Sequence, residues 1–113
     1  MIVDTRRIVF SPEAVREAVK LYRASFPDKQ PPGTVGPIFI RATAPVALGV
    51  SVQAVGATKH REIEMAASEV AVMLILYCRK AKIPLPRTGA KAIEAQGDSV
   101  VLTVSKAMAT VAA

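Results

Sequence analysis

Histidine and cysteine, which often supply nucleophiles, proton carriers and metal ligands, each occur once in this 113-residue chain. His60 lies between Lys59 and Arg61, and no group that could support acid–base or metal chemistry is close to it in sequence. Cys78 is followed by two basic residues, but no histidine or second cysteine is placed to support redox or nucleophilic chemistry. We therefore expect a solvated His60 and a Cys78 that packs inertly in the core or in an interface.

No other motif in the sequence points to catalysis or to a bound cofactor. The acidic residues lack metal-ligand spacing, and neither a phosphate-binding glycine loop nor a nucleophile motif is present. The segment Gly33-Thr34-Val35-Gly36 resembles the GxxG loop of KH-type RNA-binding domains. However, it contains no basic residue and precedes a predicted strand, whereas that loop joins two helices. We expect a non-enzymatic protein with no cofactor, no metal and no evident small-molecule substrate.

The chain is basic, with a formal net charge of +6 and a pI near 9.9. Residues 1–56 carry seven basic and four acidic side chains, and residues 57–113 carry eight and five, so the excess is spread evenly. Such a charge is typical of a well-solvated surface. An alternative hypothesis is nucleic-acid binding by one patch, which would form if two predicted strands lay side by side. Its four residues are Arg6, Arg7, Lys59 and Arg61.

Each half of the chain is predicted to contain a strand, a helix and two further strands. The elements of the first half are a strand over 5–10, a helix from Ser11-Pro12 to Phe26, and strands over 38–43 and 46–53. The elements of the second half are a strand over 59–65, a helix over about 67–82, and strands over 91–95 and 100–105. Residues 107–113 are expected to form a frayed tail.

The two halves are similar to one another at a shift of 55 residues, the separation of Tyr22 and Tyr77. We interpret this similarity as an internal duplication within a single domain over 1–106, with repeats at about 5–56 and 59–106. Each helix has an apolar stripe that must be covered by a sheet. The sequence therefore predicts an α+β fold with both helices on one face of a mainly antiparallel sheet. A ferredoxin-like β-α-β-β-α-β arrangement is the alternative.

The two helices differ on the face opposite their shared apolar stripe. Where the first helix has charged residues, the second is apolar around nearly its whole circumference. A chain of this length has little material to cover such a face, so we predict a homodimer interface there. The residues of this interface are Ala71, Val72, Ile75, Leu76 and Cys78. The alternative is that the first helix or the C-terminal tail covers the face within one chain.

The sequence thus predicts a small protein-interaction or scaffold module, with nucleic-acid binding as the alternative function. The longest apolar run, Val70 to Cys78, is too short to cross a membrane, so we expect no membrane partner. The first residues lack the pattern of a secretory signal, and a single cysteine allows no intramolecular disulfide. We therefore expect a cytoplasmic location, and the identity of the partner stays open.

Overall fold

The computed structural model describes residues 2–86 and 88–108. Its elements are β1 (Ile2–Phe10), α1 (Pro12–Ser25), β2 (Thr34–Thr43), β3 (Val46–Gln53), β4 (Arg61–Met65), α2 (Ala67–Lys80), β5 (Ala90–Gln96) and β6 (Ser99–Met108). The predicted α+β class is confirmed, and every strand pairing is antiparallel. None of the helices in this part of the chain combines the length and the hydropathy needed to cross a membrane.

The strands form two three-stranded sheets, whereas the sequence predicted one sheet in both the leading and the ferredoxin-like arrangement. One sheet has the order β1-β6-β5 and the other has the order β2-β3-β4. The first strand of each half pairs with the last strand of the other half, because β1 pairs with β6 and β4 pairs with β3. This exchange makes β6 and β3 the central strands and divides the strands between two sheets.

The strand pairings bring apolar side chains to one face of each sheet. In the first sheet, Ile8 lies opposite Leu102 and Phe10 lies opposite Val100. In the second sheet, Leu48 lies opposite Met65 and Val50 lies opposite Ile63. Because side chains alternate between faces along a strand, each sheet has one apolar face that packs against the helices. The largest fully buried side chains of the core include Leu48, Met65, Met73, Leu74 and Leu102.

The two helices pack against each other and against both sheets. At the start of α1 the hydroxyl of Ser11 accepts a hydrogen bond from the backbone N–H of Ala14 at 3.2 Å, as the sequence predicted. At the start of α2 the corresponding cap position is Ala66, which offers no side-chain bond. Since α2 lacks this local signal, the burial of its apolar side chains stabilises it instead.

Several element boundaries differ from those predicted. The strand β2 begins at Thr34, inside a segment predicted as a loop, because Thr34 and Val35 pair with Gln53 and Val52. The strand β6 extends to Met108 through pairing with β1, so the first two residues of the predicted tail are part of a strand. The rest of that tail, residues 109–113, lies outside the described residues.

Candidate functional site

The polar face of α1 holds the loop that follows this helix and the start of β2. The guanidinium group of Arg16 donates hydrogen bonds to the carbonyl oxygens of Gly36 at 2.7 Å and Val35 at 2.8 Å. Two turns further along the helix, Arg23 donates to Gln30 Oε1 at 2.8 Å and to the Pro31 carbonyl at 2.6 Å. Both arginine side chains are thereby fixed between the helix and the segment 30–36.

A basic groove of about 330 Å³ lies between this helix face and the start of β2. Its lining residues are Arg16, Lys20, Arg23, Gly33, Thr34 and Val35. Lys20 lies between the two arginines on the helix and is half-exposed. This groove was not predicted from the sequence, where the charged residues were interpreted as an ordinary solvated surface. The spacing of the three cations on consecutive turns was the available signal.

The corresponding face of α2 holds its following loop by apolar packing instead. Cys78 is fully buried, and Ile83 and Leu85 of the loop pack against the core. The backbone N–H of Ile83 also donates to the carbonyl of Cys78 at 2.8 Å. Burial raises the pKa of the Cys78 thiol, which keeps the thiol protonated near neutral pH. Cys78 therefore has no exposed surface to offer to a partner.

An apolar patch nevertheless stays exposed on α2, and it includes most of the predicted interface. Val72 is 50 % exposed, Ala71, Ile75 and Leu76 are half-buried, and Phe26 from the end of α1 is 39 % exposed. We call Phe26, Val72, Ile75 and Leu76 the α2 patch. Together with Arg79 these residues line a depression of about 250 Å³. Phe26 was not among the predicted interface residues, because only the packing of α1 on α2 brings it to this surface.

The four cations of the predicted nucleic-acid patch are divided between the two sheets. Arg6 and Arg7 lie on β1, whereas Arg61 lies on β4, just after Lys59, and β1 and β4 are edge strands of different sheets. The strands do not lie side by side as the hypothesis required. Arg6 donates instead to the Pro84 carbonyl at 3.3 Å, and Arg7 donates to the side-chain oxygen of Gln96.

The other sequence candidates for chemistry are isolated in the fold. His60 is exposed, in agreement with the expectation of a solvated residue. Within the described residues, no group of three or more histidine, cysteine or acidic side chains could hold a metal ion. A further cavity of about 330 Å³ opens between the two sheets, where apolar residues such as Ile38, Leu48 and Val100 line it together with Asp98.

Comparisons of the chain with protein-family models, with curated proteins and with solved structures find no match. The basic groove beside α1 and the α2 patch are therefore interpreted from their own geometry and chemistry.

Proposed function

We propose that this protein is a small, non-enzymatic, cytoplasmic interaction or scaffold module that forms a homodimer through the α2 patch. The observation that carries the proposal is the exposed apolar surface of Val72 and its neighbours on a helix that buries Val70, Met73, Leu74 and Cys78 in the core. Exposed apolar side chains that cluster on one helix face are typical of protein–protein contacts. In this proposal the dimer presents its remaining surfaces to another macromolecule.

The residue pattern along α2 favours a second copy of the same helix as the partner. Glu69, Val72, Leu76 and Arg79 follow one another at spacings of three, four and three residues, so they share one face. Along the chain this stripe is symmetric about position 74. Val72 and Leu76 are each two residues from that position, and the charged residues Glu69 and Arg79 are each five residues from it. An antiparallel contact between two α2 helices around a two-fold axis there places Val72 of each chain against Leu76 of the other.

The same arrangement brings opposite charges together at both ends of the contact. Glu69 of each chain would lie opposite Arg79 of the other, which gives two ion pairs related by the two-fold axis. Within one chain Glu69 Oε2 accepts a hydrogen bond from the Tyr22 hydroxyl at 3.0 Å, which orients the carboxylate. Among the described residues, the Arg79 guanidinium has no side-chain hydrogen bond or ion pair, so it is available for this contact.

The contact should be weak, because the patch is small and partly buried already. Full burial of a valine or leucine side chain contributes roughly 1.5–3 kcal/mol, and half-exposed side chains contribute less. Association also costs free energy, because the two chains lose translational and rotational freedom. The favourable free energy from burying a small apolar patch exceeds that cost only modestly. We therefore expect a dimer whose population depends on protein concentration.

Sedimentation velocity over a range of concentrations tests this proposal. We expect the wild-type protein to form dimers and Val72→Glu to be a monomer at every concentration, because two carboxylates would face an apolar contact. Val55→Glu is the matched control, since Val55 is 97 % exposed and lies in the loop before β4. A wild-type monomer, or a dimer equally sensitive to both substitutions, would contradict the proposal.

We also propose that the two halves of the chain arose by duplication of a β-α-β-β unit. Both halves have the element order strand, helix, strand, strand. The pairing of β1 with β6 is matched by the pairing of β4 with β3, and Ile8 and Ile63 occupy corresponding places in these pairings. These correspondences support a pseudo-two-fold relation between the halves.

Nucleic-acid binding is the second candidate function, and the net charge of +6 is the observation in its favour. It ranks below self-association because Arg6 and Arg7 lie on a different sheet from Arg61. Binding to DNA or RNA with a steep salt dependence would favour this function over the first.

A further inference from the structure

The basic groove beside α1 combines positive charge with a fixed geometry. Arg16, Lys20 and Arg23 lie on consecutive turns of one helix face and line one side of the groove. The opposite side is formed by Gly33, Thr34 and Val35 at the start of β2. No acidic side chain lines the groove within the described part of the chain.

The positive charges of the two arginines are not neutralised within the chain. The acceptors of Arg16 are neutral main-chain carbonyls, and those of Arg23 are one carbonyl and the amide oxygen of Gln30. Among the described residues, no carboxylate lies within ion-pair distance of either guanidinium. Both side chains are partly buried, where an unpaired charge is less well solvated than at an exposed position. An anion in the groove would supply the missing counter-charge.

The same hydrogen bonds leave donors free and hold them in place. An arginine side chain has more N–H donors than the two bonds of each residue use. Among the described residues, the Lys20 ammonium group has one ion-pair contact, with Glu17 at 3.8 Å, so it can turn toward a ligand. Thr34 adds a hydroxyl on the opposite wall. Several fixed donors around a positive groove match the geometry of a tetrahedral oxyanion.

We infer that this groove is a binding site for a phosphate group, held by Arg16, Lys20, Arg23 and Thr34. A free phosphate anion and the phosphate group of a larger molecule present the same chemistry to these residues, so the experiment below distinguishes the two sources. The site is separate from the α2 patch, and it uses none of the four cations first considered for nucleic-acid binding.

Titration calorimetry of the full chain tests this inference at about 50 mM salt, where electrostatic contacts are weakly screened. The probes are inorganic phosphate, pyrophosphate and a short single-stranded oligonucleotide, which distinguish a free anion from a nucleic-acid backbone. We expect at least one probe to bind, and Lys20→Gln to weaken that binding about tenfold, since a hydrogen bond to a charged group is lost. The backbone amide resonances of Gly33 and Thr34 should shift on addition of the same probe.

Lys29→Gln is the matched control, because it removes the same charge from an exposed residue that does not line the groove. Binding that Lys20→Gln weakens and Lys29→Gln leaves unchanged would support the inference for whichever probe binds. Equal weakening by both variants would mean diffuse attraction to a basic surface and would overturn it. The absence of binding by all three probes would overturn it as well. Val72→Glu should not alter the affinity, so this test and the test of the dimer give independent answers.

Discussion

The loops that follow the two helices are held by opposite kinds of chemistry. After α1, Arg23 binds the loop and Arg16 binds the start of β2, in both cases through hydrogen bonds to main-chain carbonyl groups. After α2, the loop residues Ile83 and Leu85 pack against the core. Positions 23 and 78 correspond under the 55-residue shift, and one holds a guanidinium where the other holds a buried thiol. Similar backbone arrangements can thus be stabilised by polar bonds in one half and by apolar burial in the other.

This difference also decides which surface each half exposes. The polar contacts of α1 leave cationic donors beside a groove, whereas the apolar helix α2 leaves Val72 and Leu76 in contact with solvent. Only some of the apolar residues of α2 therefore indicate a partner. Cys78 is buried within its own chain, whereas Val72 is exposed and is the residue that a partner would cover.

The largest effect on stability is expected when position 78 of α2 receives the arginine that α1 has at the corresponding position 23. Cys78→Arg puts a charge into a fully buried site next to an apolar loop that offers no counter-charge. We expect it to lower the free energy of unfolding by about 3–5 kcal/mol. Urea denaturation followed by circular dichroism measures this change. Cys78→Val, which stays apolar, should lower it by less than about 1.5 kcal/mol, and equal losses would contradict the apolar account of this loop.

A smaller effect is expected when the polar contact of the first half is removed. Arg23→Ala deletes both hydrogen bonds and leaves the side-chain oxygen of Gln30, a residue only 7 % exposed, without a donor. We expect a loss of about 1–3 kcal/mol in the free energy of unfolding, because a buried polar group is left unsatisfied. The same urea experiment measures it. Lys29→Ala, at an exposed position, should have almost no effect, and a similar loss there would argue against the specific role of Arg23.

Local signals in the sequence were sufficient to predict the helices and most strands. Ser11 and Pro12 marked the start of α1, and the regular spacing of Val15, Val19 and Tyr22 marked its buried face. Alternation of larger and smaller residues predicted the strand β3, although it did not predict that every residue from Val46 to Val50 is buried. These features depend on neighbouring residues, so they can be inferred without knowing the rest of the fold.

The features that the sequence did not reveal depend on contacts between distant segments. The division into two sheets follows from pairing between halves, as in the contact of β1 with β6. Part of α2 is covered by Ile83 and Leu85, which lie on either side of Pro84. This segment was interpreted from the sequence only as the end of a helix. The arginine bonds to the loop after α1 depend in the same way on where that loop runs.

Disulfide cross-linking across the proposed two-fold axis is the sharpest test of the antiparallel contact between two α2 helices. In a Cys78→Ala background, Val72→Cys and Leu76→Cys together should form a covalent dimer on mild oxidation, because antiparallel helices would bring these positions within about 7 Å between Cα atoms. Glu13→Cys with Glu17→Cys gives the same spacing on an exposed face of α1 and serves as the control. Our account predicts a covalent dimer for the α2 pair alone. If the α2 pair stays monomeric, or cross-links no faster than the α1 pair, the proposed helix contact is wrong.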